Sequence, residues 1–320
     1  MNNLSGKAPI LKEGVEELGR RCSKMVNDCY IVKQMVGKDR TVLRYLDSQN
    51  FSQNGEYIIS LLPMKMDRSG RVSFDRKTIQ SEYIAAMVTF PYMVNALTIG
   101  ESAKVLSIGL GAGSLDMFYH ANRPELDITV VEKDEVMATV ARTWFGVVED
   151  EKRRTVIEAP VRGSFNGTLK TVLYHPIPTL RNLNLGDGIE YLQEAIGSRE
   201  LFNVIALDAC DGHSVNYRCP GASFYTAEVM KNVFAALTNE GAFVLNVITT
   251  NISAIETAVK QQFPSCFLGQ LRATNRVIGC VKYAVEQTEK TANVFHVKFG
   301  VAMAKLGLED VIGEDVFNPF

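Results

Sequence analysis

Apolar residues change their spacing several times along this chain, and each change marks a predicted element. Between residues 13 and 36, Val15, Leu18, Cys22, Met25, Val26 and Cys29 recur at three- and four-residue intervals, which predicts an amphipathic helix. From residue 41 to 74 the rhythm shortens to Val42, Leu43 and Tyr45, then Tyr57 to Leu62, then Val72 and Phe74, with Asn54-Gly55 and Ser69-Gly70 as turn pairs between them. Short β-prone runs between turn residues predict a small antiparallel sheet. Glu82 to Leu97 returns to a helical pattern.

From there, continuous apolar runs alternate with amphipathic stretches. Val105 to Ile108, Ile128 to Val131, Asn203 to Leu207 and Ala242 to Ile248 read as buried strands. Helical patterns cover Ala227 to Leu237 and Ser253 to Gln262, and two closing strands follow near Phe267 to Leu271 and Val277 to Ala284. This alternation predicts an α/β fold: a doubly wound, mainly parallel, seven-stranded Rossmann-like sheet whose last strand is antiparallel, preceded by a small N-terminal antiparallel β region. The expected division is 1–98 for the N-terminal helix and β region and 99–320 for the larger domain. Between Trp144 and Asp187 lie about 40 residues, more than a strand and its turns need. Val156-Ile157-Glu158 and Leu183-Asn184-Leu185 both qualify as the third strand. The second is preferred because it abuts Asp187, which leaves an inserted loop near 156–183.

The strand ends carry the candidate chemistry. Val105-Leu106-Ser107-Ile108 breaks into Gly109, Gly111 and Gly113 and then continues as a helix. Glycines there let a ligand approach the backbone, and the helix start offers unpaired N–H groups. The second strand ends in Glu132, about 20 residues past the glycines, where a carboxylate can take a ribose diol. Asp187-Gly188 forms a turn before an amphipathic helix, and Asp208 ends another apolar run. Acids at successive strand ends fall at one edge of a parallel sheet, where open α/β folds bind ligands. Each of these acids could instead cap a helix. The glycines run G-x-G-x-G and not G-x-G-x-x-G, which disfavours a nicotinamide dinucleotide.

Composition narrows the classes further. The 320 residues are 46% hydrophobic, with 34 basic and 36 acidic side chains and a net charge of -2, enough for a full core and without a global argument for nucleic acid. Lys152-Arg153-Arg154 is the densest basic run and reads as a solvated helix end. Six cysteines show no C-x-x-C pair or zinc spacing and only four histidines are present, so no metal is expected. The N-terminus has no apolar leader-like core and no run reaches the roughly 18 apolar residues of a membrane span. A cytoplasmic, reducing setting is the expectation.

These residues together resemble the spermidine-synthase-like methyltransferases, a class I S-adenosylmethionine family. The resemblance runs from about Arg44 to Tyr283. It rests on the Gly109 to Leu115 loop, Val131-Glu132-Lys133-Asp134, Trp144-Phe145-Gly146, Asp187-Gly188, Asp208, Cys219-Pro220-Gly221-Ala222-Ser223-Phe224 and Glu240 to Asn246. It implies S-adenosylmethionine as cofactor, with the glycine loop facing its methionine part, Glu132 its ribose and Asp187-Gly188 its adenine. It further implies methylation of a protein amine, a lysine or an N-terminus of a translation elongation factor, with Asp208 positioning the amine. Asp208 and Asp211 are the catalytic candidates, with Asp208 also on the cofactor side, and Asp211, Tyr217, Phe224 and Tyr225 are candidates for the acceptor pocket. A homodimer through the N-terminal region is the expected assembly. The first alternative is aminopropyl transfer, since the polyamine synthases share an Asp-x-x-Asp pair that Asp208 and Asp211 reproduce. Those synthases also carry an acid where this chain has Ala112, and Tyr-x-Glu where it has Tyr83-Ile84-Ala85. The second alternative is a non-catalytic protein that retains cofactor binding. His213 reads as merely exposed and Cys210 as a small packing residue.

Overall fold

Alternation with a period of two, not helical spacing, organises the start of the chain. In the computed structural model, which describes residues 13–52, 58–157, 187–211, 219–272, 274–313 and 316–320, the predicted first helix is a hairpin of β1 (Gly14–Ser23) and β2 (Asp28–Val36). Tyr30, Val32, Gln34 and Val36 are buried on one face of β2, whereas Val15 and Met25 of the helical set stand exposed. The β-prone run Tyr30-Ile31-Val32 and a left-handed turn residue, Asn27 at φ 48°, decide for the hairpin. Strands β3 (Val42–Ser48), β4 (Ile58–Met66) and β5 (Val72–Phe74) extend it, with a short helix α1 (Gln49–Ser52) between β3 and β4, into a sheet ordered β1-β2-β3-β4-β5, antiparallel throughout.

The rest alternates as expected. Helix α2 (Glu82–Met93) leads into β6 (Ala103–Ile108), α3 (Ser114–Asn122), β7 (Leu126–Glu132), α4 (Glu135–Trp144) and β8 (Arg153–Ile157). Then come α5 (Gly188–Gly197), β9 (Phe202–Leu207), α6 (Ala227–Ala236), β10 (Leu237–Val247), α7 (Ile252–Gln262), β11 (Ser265–Gln270), β12 (Arg276–Val281), α8 (Glu289–Leu306) and β13 (Phe317–Pro319). The second sheet runs β13-β11-β12-β10-β9-β6-β7-β8, so it has eight strands where seven were expected. The additional strand is the three-residue β13, which pairs antiparallel with β11. Strands β10, β9, β6, β7 and β8 are parallel, and β12 lies antiparallel between β10 and β11.

The third-strand preference needs correction. The strand beside β7 is β8, which contains Val156 and Ile157; Leu183-Asn184-Leu185 and most of the expected 156–183 insertion lie outside the described residues. The basic run also reads differently. Arg153 sits on β8, fully buried, with Nε 2.5 Å from Asp116 Oδ2 and Nη1 donating to the Val148 carbonyl and Thr155 Oγ1. A buried guanidinium needs a paired carboxylate and acceptors of this kind, because desolvation without them is costly.

Both faces of the parallel sheet are covered. Val105, Val204, Ala206 and Val244 pack with α2, α3 and α8, while the alternate residues Leu106, Ile205, Leu207 and Leu245 pack with α5, α6 and α7. Helix α4 serves both sheets: Ala138 and Ala141 join the parallel-sheet core, and Met137, Val140 and Phe145 pack against Tyr30, Val32 and Leu46. The Trp144-Phe145-Gly146 triplet is therefore a docking element. Gly19 lies so close to the Trp144 ring that a Cβ there would come within 2.5 Å of it, and Arg44 donates to the Trp144 carbonyl. All six cysteines are paired, as Cys22–Cys29, Cys210–Cys219 and Cys266–Cys280, a pairing the sequence reading did not anticipate. No helix among the described residues is long and apolar enough to cross a membrane.

Candidate active site

Strand order assembles the site. Because β6 lies between β9 and β7, the loop leaving it is flanked by Asp208 on one side and Glu132 on the other. Gly109 holds φ 96°, and a Cβ on it would meet the Asp208 carbonyl oxygen at 2.4 Å. Its amide donates to the Val131 carbonyl, while Asp208 N donates to the Ile108 carbonyl, so three strand ends are tied together. Gly109→Ala is expected to cost roughly 2 kcal/mol or more through backbone strain and this contact. A denaturant midpoint unchanged from the wild type would contradict the packing. Gly111 and Gly113 also take positive φ, and Gly113 starts α3. The antiparallel sheet supports the loop: Ala112 N donates to Ser60 Oγ and Ser114 Oγ donates to the Leu61 carbonyl.

Glu132 is held by the backbone around it. Leu110 N donates to one carboxylate oxygen at 3.0 Å and Asp134 N to the other at 2.8 Å. Burial pushes its pKa up to about 7, with these donors opposing the rise. Asp134 caps α4 and accepts a 2.8 Å hydrogen bond from Tyr30 Oη, so the N-terminal sheet is wired to the second strand's acid. Asp187 does cap a helix: its side chain accepts from Ile189 N at the start of α5 and pairs with Lys133 Nζ at 2.8 Å. Burial alone would raise the Asp187 pKa, but Lys133 and the helix amides hold it below the usual range. Gly188 is needed for packing, since a Cβ there would come within 2.3 Å of Ile108 Cγ2. Both residues nevertheless face the cleft.

That cleft has a volume of about 680 Å³, and Gly109, Gly111, Glu132, Asp187, Gly188, Asp208 and Asp211 of the predicted site line it, whereas Gly113 does not. At its β9 side Asp208 is the centre of a hydrogen-bonded chain. Tyr83 Oη of α2 donates to Asp208 Oδ2 at 3.3 Å, Asn246 Nδ2 of β10 to Asp208 Oδ1 at 2.8 Å, and Asn275 Nδ2 to Asn246 Oδ1 at 2.9 Å. Burial raises the Asp208 pKa, and the Asn246 and Tyr83 hydrogen bonds pull it back. Asp211 lines the same cleft, its carboxyl group packed over Gly221. Phe224 lines it too, whereas Tyr225 packs on the α6 and α7 core. His213 and Tyr217 lie outside the described residues.

Sequence reasoning missed Tyr83, Asn246 and Asn275. Tyr83 drew notice only for the acid absent two residues later, although the tyrosine itself was present. Asn246 carried a signal, a polar residue within an apolar strand run; it is 2% exposed. Asn275 carried none, because only the pairing of β10 with β12 brings it near.

No family model matches the chain. It is 21% identical over 291 residues to the human eEF1A lysine and N-terminal methyltransferase, an alignment covering 81% of this chain and 38% of that protein. The chain thus spans about two fifths of that relative's length. Among solved structures, human methyltransferase-like protein 13 in complex with SAH matches with a TM-score of 0.52 and 23% identity, over 68% of this chain and 92% of the other. A probable spermidine synthase from Corynebacterium glutamicum matches with a TM-score of 0.57 and 13% identity, over 91% and 87%. The resemblance drawn from the motifs is borne out, and the fold is of the class I, Rossmann-like, spermidine-synthase-like type.

Proposed function

We propose that this chain is an S-adenosylmethionine-dependent methyltransferase acting on an amine of a protein substrate, a lysine or an N-terminus, as the names of its relatives suggest. The observation that carries the reading is one cleft holding two sets of groups. The glycine loop with Glu132 and Asp187-Gly188 suits a nucleoside cofactor, and Asp208 with Tyr83 suits an amine. The cofactor side fits in its chemistry, because Gly109, Leu110 and Gly111 line the cleft in a turn that closes tightly only without Cβ atoms at its two glycines, and Glu132 offers a carboxylate to a diol.

When bound, S-adenosylmethionine supplies an activated methyl group on a sulfonium. The protein's own work is to orient and desolvate the acceptor, which accounts for much of such a rate enhancement. An amine arrives as a cation and must be neutral before it attacks. Asp208, as the carboxylate, can accept its N–H and fix its direction, while Tyr83 and Asn246 hold the carboxylate in place. Phe224 and Ile248 supply apolar wall that excludes water.

Aminopropyl transfer fits less well. Ala85 and Ala112 stand where the polyamine synthases carry acids, and both are buried, at 0% and 1% exposure. A polycation would lack partners there. Calorimetric titration with S-adenosylmethionine and with its decarboxylated analogue tests the reading. Tighter binding of the intact cofactor is expected. A preference for the decarboxylated form would make the protein an aminopropyltransferase, and no binding of either would leave a non-catalytic relative.

A further inference from the structure

Asp208 is reached by a side chain that does not touch it. Asn246 Nδ2 donates to Asp208 Oδ1, and the other end of the same amide, Oδ1, accepts from Asn275 Nδ2. The two ends of an amide have nearly the same shape, so neighbours decide which way it points. Asn246 is buried at the sheet edge, with a carboxylate on one side and Asn275 on the other. Asn275, half-buried just before β12, gives its N–H to the oxygen end, which leaves the nitrogen end for Asp208.

We propose that Asn275 is a positioning residue for the transfer: through Asn246 it keeps a donor on one Asp208 oxygen and so leaves the other, beside Tyr83, turned to the acceptor amine. This rests on the proposed methyltransferase reading for its role in turnover, but not for the relay itself. Reversing the amide would aim a carbonyl at the carboxylate, and two buried oxygens can meet only if Asp208 takes up a proton. Asp208 would then be a donor where the amine needs an acceptor. Among the described residues, the ionisable groups lining this side of the cleft are Tyr83 from α2 and Asp211 after β9. Asn246 and Asn275, from the β10 and β12 side, are neutral, and Cys210 and Cys219 are joined to each other.

The test uses the whole chain with its aspartate carboxyls labelled with carbon-13, titrated by NMR, with Asp208→Asn serving only to identify the Asp208 signal. Asn275→Asp places an acceptor where the relay needs a donor, so the Asp208 midpoint is expected to rise by about one unit or more. Asn275→Ser keeps a donor and is expected to leave it close to the wild type. Charge repulsion from a new carboxylate would also raise the midpoint, so the same change is made in an Asn246→Leu background. The relay requires most of the shift to vanish there, as coupled positions are not additive. An equal shift in both backgrounds, or none in either, overturns it. Should Asn275→Asp not fold, Asn275→Ala against Asn275→Ser decides: equal midpoints and equal acid limbs of the transfer rate overturn the proposal, and rescue by serine alone supports it. The NMR midpoint is read without turnover, so failure to find methyl transfer would fall on the function and not on the relay.

Discussion

Asp208→Asn is expected to bind S-adenosylmethionine as well as the wild type and to lose methyl transfer by roughly 10²- to 10⁴-fold, the range of a well-placed acid–base group. The change is nearly isosteric, so the fold should hold. Its effect is on polarity. Asn246 presents its nitrogen to position 208, so an amide there turns its oxygen to Asn246 and its N–H₂ toward Tyr83 and the cleft. A donor then faces the N–H of the incoming amine. Tyr83 can reverse its hydroxyl and accept, which keeps the site folded while its function is lost. Single-turnover rates with a protein acceptor, set beside calorimetric cofactor affinity, separate the two. Full activity in this variant would mean that another group positions the amine.

Glu132→Ala is expected to weaken cofactor binding by roughly 10²- to 10⁴-fold. Two hydrogen bonds to a charged acceptor contribute about 1.5–3 kcal/mol each, and a decade of affinity is about 1.4 kcal/mol. The alanine also strips the Leu110 and Asp134 amides of their acceptor and loosens the glycine loop. Unchanged affinity would remove Glu132 from the site. The raised pKa adds a pH signature. Glu132 titrates near 7 in the fold against about 4.5 when unperturbed. Between those values the folded protein keeps a proton that the unfolded chain has lost. The sign follows from linkage: the contribution of this group to stability falls as pH rises from about 4.5 to about 7 and is flat above. Glu132→Gln should flatten that part of a melting-temperature profile in the cofactor-free protein. Cofactor affinity should run the other way in the wild type, weakening as pH drops below 7, because hydroxyl groups are held better by the ionised form.

Most of the cofactor side was legible because it is local. Gly109, Glu132 and Asp208 sit at the ends of continuous apolar runs, and parallel strands deliver their ends to one edge whatever the details of packing. Asp187 shows the limit of that reasoning, since it both caps α5 and faces the cleft, and a sequence pattern does not separate the two roles. The N-terminal hairpin misled because a sequence spacing of three and four can be met by chance in strands, where the even-numbered residues of β2 carry the burial. Nothing in its periodicity announced that Tyr30 would reach Asp134 from 104 positions away.

By itself, then, the sequence determined the α/β class, the glycine loop and the acids at the strand ends, since these depend on short-range pattern and on backbone rules that hold in any context. Tertiary structure alone decided the company those acids keep. Tyr83, Asn246 and Asn275 meet Asp208 from α2, β10 and the approach to β12, and Arg153 is buried because Asp116 is there to receive it. Such contacts join residues far apart in the chain, and a buried polar group is tolerated only where the fold supplies its partner, so their chemistry exists only after the sheets have packed.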